Sequence, residues 1–183
     1  MSSPAFIVDG FTEKLIINQL CPGNPIRRTD LNGKSVTIKA IANKISSLIR
    51  LLNNKHYPIV VIIDRENRPE DCITIIENLK KELIENGHEN EDIRINVADK
   101  MLENWIIADW ELIGDIKNKP EATDSLNGSS EIKKKLGSYG KTTDGVSLFL
   151  KANPLTMYNN SPSFKSFIDN IEDINCYYTN FEK

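Results

Sequence analysis

The run Tyr57-Pro58-Ile59-Val60-Val61-Ile62-Ile63-Asp64-Arg65-Glu66 is a near-continuous β-branched stretch that ends abruptly in charge. Such a run, apolar on both alternating sets of positions, reads as a strand covered on both faces, the habit of parallel sheets. A shorter stretch, Ala5-Phe6-Ile7-Val8, ends the same way in Asp9-Gly10-Phe11-Thr12-Glu13. In open α/β sheets, ligands bind outside the carboxyl ends of the strands, so acids placed there face the crevice where chemistry is done. The expected fold class is therefore α/β, a mainly parallel sheet flanked by helices.

Periodicity fills in the elements around these two strands. Leu15, Ile16 and Leu20 give the segment from Thr12 to Leu20 helical spacing, and Ile38, Ile41, Ile45, Leu48, Ile49 and Leu52 form one face of an amphipathic helix. Ile73, Ile76, Leu79 and Leu83 form another, with Pro69 suited to its first turn and Asn86-Gly87 to its end. Ile93 to Ala98 reads as a third, weaker strand, and Lys100 to Ile113 as one helix. The order implies right-handed crossovers. Cys21 to Gly33, rich in Pro and Gly, reads as an exposed loop with the basic pair Arg27-Arg28. Ile116 to Ser130 reads as a solvated connection to a small helical C-terminal extension. Its helices are expected over Thr143 to Ala152 and Ser161 to Ile171, the second capped by Ser161 or Asn160 with Pro162 in its first turn. The division expected is a core over 1–115 and the extension over 116–183.

With 183 residues and 39% hydrophobic side chains, the chain has the size and balance of one globular domain. A net charge of −3 supplies no global field for a polyanion, so nucleic-acid binding needs a local patch or bridging cations. Cys21, Cys72 and Cys176 are odd in number and far apart, which predicts reduced thiols and no thiolate zinc site. No apolar stretch approaches the roughly 18 residues that span a bilayer, so a cytoplasmic protein without membrane contact is expected.

Three constellations carry candidate chemistry. Asp9, Asp64 and Glu66 at adjacent strand ends suit a hard cation such as Mg²⁺, although acids also end strands as turn formers. Glu103 and Asp109, embedded among Leu102, Trp105, Ile106 and Trp110, must meet a cation, a basic side chain or backbone donors if buried. Tyr139-Gly140-Lys141-Thr142-Thr143-Asp144-Gly145 places Lys141 in a turn before a helix, without the glycine spacing of a P-loop. His56 and His88 show no ligand-like spacing.

Together these segments resemble a Toprim-like bacterial family of unknown function related to nucleases of the overcoming-lysogenization-defect (OLD) type. Phe6 to Glu13 resembles that family's first-strand motif, Val61 to Glu66 its second acidic motif, and Val97-Ala98-Asp99 with Glu103-Asn104-Trp105 and Ala108-Asp109 the helix that follows. Tyr139-Gly140-Lys141-Thr142 with Gly145, then Ser161-Pro162-Ser163-Phe164, resembles its C-terminal signature. Asp9 stands where Glu is usual, and Glu66 where Asp is usual. The resemblance implies a Toprim-like fold and a metal-dependent nuclease or nuclease-like effector, with Mg²⁺ or Mn²⁺ as cofactor. Its metal ligands are expected among Asp9, Glu13, Asp64, Glu66, Glu103 and Asp109, with Asp9, Asp64, Glu66 and Lys141 as the catalytic set. Expected partners are nucleic acid, DNA ahead of RNA, and an AAA-type or ABC-type ATPase in an anti-phage defence module. The alternative is a catalytically degenerate module that binds and regulates such a partner.

Overall fold

A computed structural model describes residues 3–31, 36–114, 116–179 and 181. Strands β1 (Ser3–Val8), β2 (Ile26–Arg28), β3 (His56–Asp64) and β4 (Ile93–Ala98) form one all-parallel sheet in the order β2-β1-β3-β4. Between and after them come α1 (Phe11–Leu20), α2 (Ile38–Leu51), α3 (Cys72–Glu85), α4 (Glu103–Ala108), α5 (Gly128–Leu136), α6 (Val146–Lys151), α7 (Pro154–Asn160) and α8 (Pro162–Asn170). The fold is α/β, as the β-branched runs require.

Alternation along the central strands sorts the helices into two layers. Ala5 and Ile7 of β1, with Ile59, Val61 and Ile63 of β3, point into a core closed by α2 and α3. Phe6 and Val8, with Val60 and Ile62, point into the opposite core, which α1 and the C-terminal helices close. The extension is therefore half of the sandwich and shares its apolar core with the strands. Trp105 anchors that half: it stacks on Phe167 at 5.1 Å, meets Phe164 edge-on at 5.4 Å, and donates its indole N–H to Ser163 Oγ at 2.8 Å. Each aromatic pair adds about 0.5–1.5 kcal/mol beyond the area it buries.

Several expectations are corrected. The Pro/Gly-rich loop contains β2, a short edge strand whose Ile26, Arg27 and Arg28 pair with Phe6, Ile7 and Val8. The helix after β3 starts at Cys72, not at Pro69, because the Asp71 side chain caps it by accepting from Thr74 N at 2.7 Å. The helix expected over Lys100 to Ile113 is α only from Glu103 to Ala108 and tightens into a 3₁₀ turn over Trp110–Ile113. Helix α5 begins inside the stretch read as connection, and α7 fills the gap between the two expected C-terminal helices; Asn127 and Asn153 cap them with their side chains. Ser161 caps α8 and Pro162 occupies its first turn, as expected. Finally, Cys21 and Cys176 form a disulfide, where reduced thiols were expected; Cys72 is the free thiol. Such a bond is rare in reducing compartments, so a cytoplasmic placement rests on the sequence reading alone. Among the described residues no helix is long and apolar enough to cross a membrane.

Candidate functional site: an acidic pocket at the carboxyl edge of the sheet

Register brings the acids together. Val8 pairs with Ile62, so Asp9 and Asp64 leave neighbouring strands at almost the same level. Asp9 is oriented by Thr29, whose hydroxyl donates to its Oδ1 at 2.6 Å, and by the backbone N–H of Asp64. Glu13 enters from the first turn of α1 and Glu103 from the first turn of α4. Three segments distant in the chain, the β1–α1 turn, the end of β3 and the start of α4, thus bring four carboxylates toward one another.

Their electrostatics follow from crowding. The Asp64 carboxyl is held well above the usual carboxylate range, first by burial and then by the charges of Glu13, Glu103 and Asp9. Glu13 is raised by burial and by Glu103 and Asp9, and Asp9 by burial, against the pull of Thr29 and the Asp64 N–H. Like charges gathered away from water each disfavour the other's ionisation. Lys141 supplies countercharge: its Nζ lies 3.4 Å from Glu103 Oε1. Burial works against the ammonium, but Glu103 and Asp64 outweigh it and raise the lysine's pKa.

Lys141 opens a single turn of π-helix, Lys141–Gly145, closed by the bond from Gly145 N to Gly140 O at 3.1 Å. Such turns are rare and recur at functional sites. Just before it, Tyr139 donates its hydroxyl to Glu103 Oε1 at 3.1 Å. Burial and the Glu103 charge push the phenol's pKa up, which keeps it a donor. A Cβ on Gly145 would fall 2.5 Å from that hydroxyl, so glycine is what lets the tyrosine reach. Tyr139 escaped the sequence reading as a site residue, although the segment containing it was singled out.

The loop beyond β3 is fixed by its backbone. Glu66 N donates to Lys100 O at 2.7 Å, and both residues are left-handed, at φ 56° and 66°. Non-glycine residues held there cost on the order of 1–3 kcal/mol each, strain that clusters at functional sites. Arg68 ties the loop down through the carbonyls of Val36, Asp64 and Arg65. A cleft of about 230 Å³ opens here, with Asp64, Glu66, Lys100, Asn127 and Lys141 on its walls. Larger hollows, of about 520 and 620 Å³, lie beside Tyr177 and Lys165, away from the acids.

Two expected ligands stand outside the cluster. Glu66 shares the cleft, but its left-handed backbone turns it toward Arg68, 3.9 Å away. Asp109 lies beyond the end of α4, where the backbone departs from helical geometry, and its Oδ2 accepts from Asn153 N at 2.7 Å. Its burial is satisfied by a backbone donor at the cap of α7. The acids whose charges act on one another are therefore Asp9, Glu13, Asp64 and Glu103, and of these Asp64 also walls the cleft. They offer only hard oxygen donors, the chemistry that Mg²⁺ and Mn²⁺ favour. As they stand, among the described residues no three His, Cys, Asp or Glu side chains are gathered closely enough to hold a metal ion. The set fits a hard cation in charge and donor type, and side-chain rotation would have to close it around one.

The family described as Domain of unknown function (DUF4276) matches residues 8–172. The chain belongs to that family. The matched span runs from the last residue of β1 past the end of α8, so it holds every acid of the pocket together with Tyr139 and Lys141. No curated protein and no solved structure matches the chain.

Proposed function

We propose that this DUF4276 protein is a divalent-cation-dependent nuclease of Toprim type, acting on phosphodiester bonds. One observation carries the reading: Asp9, Glu13, Asp64 and Glu103 are near enough for charge to act among them, so that Asp64 is raised by burial and by the other three, Glu13 by burial and by Glu103 and Asp9, and Asp9 by burial. Such a concentration of like charge is costly in the apo chain and is relieved by a cation. Asp9, Glu13 and Asp64 would hold Mg²⁺ or Mn²⁺. When bound, the ion would lower the pKa of a water ligand and neutralise charge on the scissile phosphate. Thr29 fixes Asp9, while Tyr139 and Lys141 fix Glu103 at the pocket wall. Once a phosphate competes for its ammonium, Lys141 is placed to stabilise charge developing on the phosphoryl oxygens. An AAA-type or ABC-type ATPase partner and a role in anti-phage defence are supported by the sequence resemblance alone.

Cleavage of plasmid DNA, single-stranded DNA and RNA in Mn²⁺ or Mg²⁺, beside an Asp64→Asn variant, tests the proposal. The wild-type chain should cut at least one substrate, and the variant should be slower by about a hundredfold or more. Equal cleavage by both removes the site. A second reading, the catalytically silent Toprim module that regulates an ATPase or binds nucleic acid, is favoured by the ion pair of Glu66 with Arg68, which competes with a cation for that carboxylate. Calorimetry showing no heat of Mn²⁺ or Mg²⁺ binding at millimolar concentrations would support it.

A further inference from the structure

Phe11 is the first residue of α1, two positions after Asp9, and 49% of its surface is exposed. It belongs to neither apolar core. Its neighbour across the sheet edge is Arg28, whose guanidinium carbon lies 5.5 Å from the ring centroid. Arg28 ends β2 opposite Val8, and the next residue, Thr29, is the one that orients Asp9. Ring and guanidinium are therefore mounted on the same two strand ends that carry the first acid of the pocket. Arg28 also contacts Asp30 at 3.4 Å, keeps about a third of its side chain in water, and is flanked by the exposed Arg27. Packing does not account for an exposed aromatic ring here.

We propose that Phe11 and Arg28 are a docking element for a single-stranded polynucleotide beside Asp9. The inference rests on the nuclease reading and names its substrate class. A chain with net charge −3 and a cluster of carboxylates repels a polyanion, so local cations must bring the phosphates in. Arg28 supplies one on the Asp9 side, where an exposed ring can stack an unpaired base. Base–aromatic stacking is sequence-tolerant because every base has a π-face, and it requires a base freed from its own stack, as in single strands and frayed ends. The guanidinium over the ring both fixes the platform and stays available to the phosphate of the stacked nucleotide.

Fluorescence anisotropy with labelled oligo-dT, oligo-rU and a duplex of equal length, in Ca²⁺ without Mg²⁺ or Mn²⁺, reads binding apart from cleavage. The full chain should bind one or both single strands more tightly than the duplex. Phe11→Ala should weaken that binding by about tenfold while Phe11→Trp retains it. Arg28→Ala should weaken it too and flatten its salt dependence. All three variants should keep the wild-type thermal midpoint. Absence of wild-type binding, equal or tighter binding of the duplex, or unchanged affinity in both Phe11→Ala and Arg28→Ala overturns the inference. A protein that binds in this way but cuts nothing leaves it standing and counts against the hydrolytic reading instead.

Discussion

Asp64 is the residue on which the site turns. Burial comes first, then Glu13, Glu103 and Asp9, and together they hold its carboxyl well above the usual range. Between the ordinary carboxylate pKa and that raised value the folded chain binds more protons than the unfolded one, so stability falls as pH rises through the window. Asp9, Glu13 and Asp124 are shifted in the same direction. Asp71 and Asp173 are shifted the other way but lie at the surface, where solvent screens them. In metal-free buffer the thermal midpoint should therefore be higher at about pH 5.5 than at about pH 7.5, with a smaller gap in Asp64→Asn. That variant should also be the more stable protein at the upper pH. Calorimetric melts showing the reverse order would contradict the account of the pocket. Asp9 and Asp64 were legible because a strand that ends in charge announces itself. The direction of Glu66 was not, since it is set by a left-handed backbone that only the bond to Lys100 explains.

Among elements, α4 positions Glu103, and α5 holds α4 in place. Asn104, fully buried, donates to the carbonyls of Thr123 and Leu126 and accepts from Gly128 N. A Cβ on Gly128 would fall 2.6 Å from Glu103 C and 2.7 Å from Asn104 N, both backbone atoms that cannot step aside. Gly128→Ala should therefore cost about 1–3 kcal/mol, read as a lower urea midpoint with unchanged slope. A change below about 0.5 kcal/mol, the ordinary scatter of surface substitutions, would show that this contact does not seat α4. Helix α5 was hidden because its first turn, Gly128-Ser129-Ser130, has the composition of a loop. Its start is marked by the Asn127 side chain accepting from Ser130 N at 3.0 Å, a cap carried by a residue type that is equally at home in a loop. The Asn153-Pro154 start of α7 is the same signal in plainer form. Asp109 was misplaced because the apolar positions of Lys100 to Ile113 fit one helical stripe, whereas the chain breaks helix at Asp109 to reach the Asn153 amide.

For the whole molecule, alternation in β1 and β3 made the two-layer α/β arrangement legible, because residues facing opposite cores take turns along each strand. The sheet order was less so. It depends on β2, only Ile26–Arg28, set among turn residues. The Cys21–Cys176 bond joins residues 155 apart and ties the C-terminal segment to the end of α1, a pairing no local pattern could reveal. Convergence of the acids is a property of topology: β1 beside β3 brings Asp9 to Asp64, and the folding of the C-terminal helices over the same face adds Lys141 and Tyr139 to Glu103. The most direct test is an anomalous-difference map from crystals grown in Mn²⁺. The account predicts a peak bounded by Asp9, Glu13 and Asp64, within about 2.5 Å of their oxygens. A map with no peak there at millimolar Mn²⁺, with the four carboxylates still apart and Lys141 still on Glu103, would contradict it.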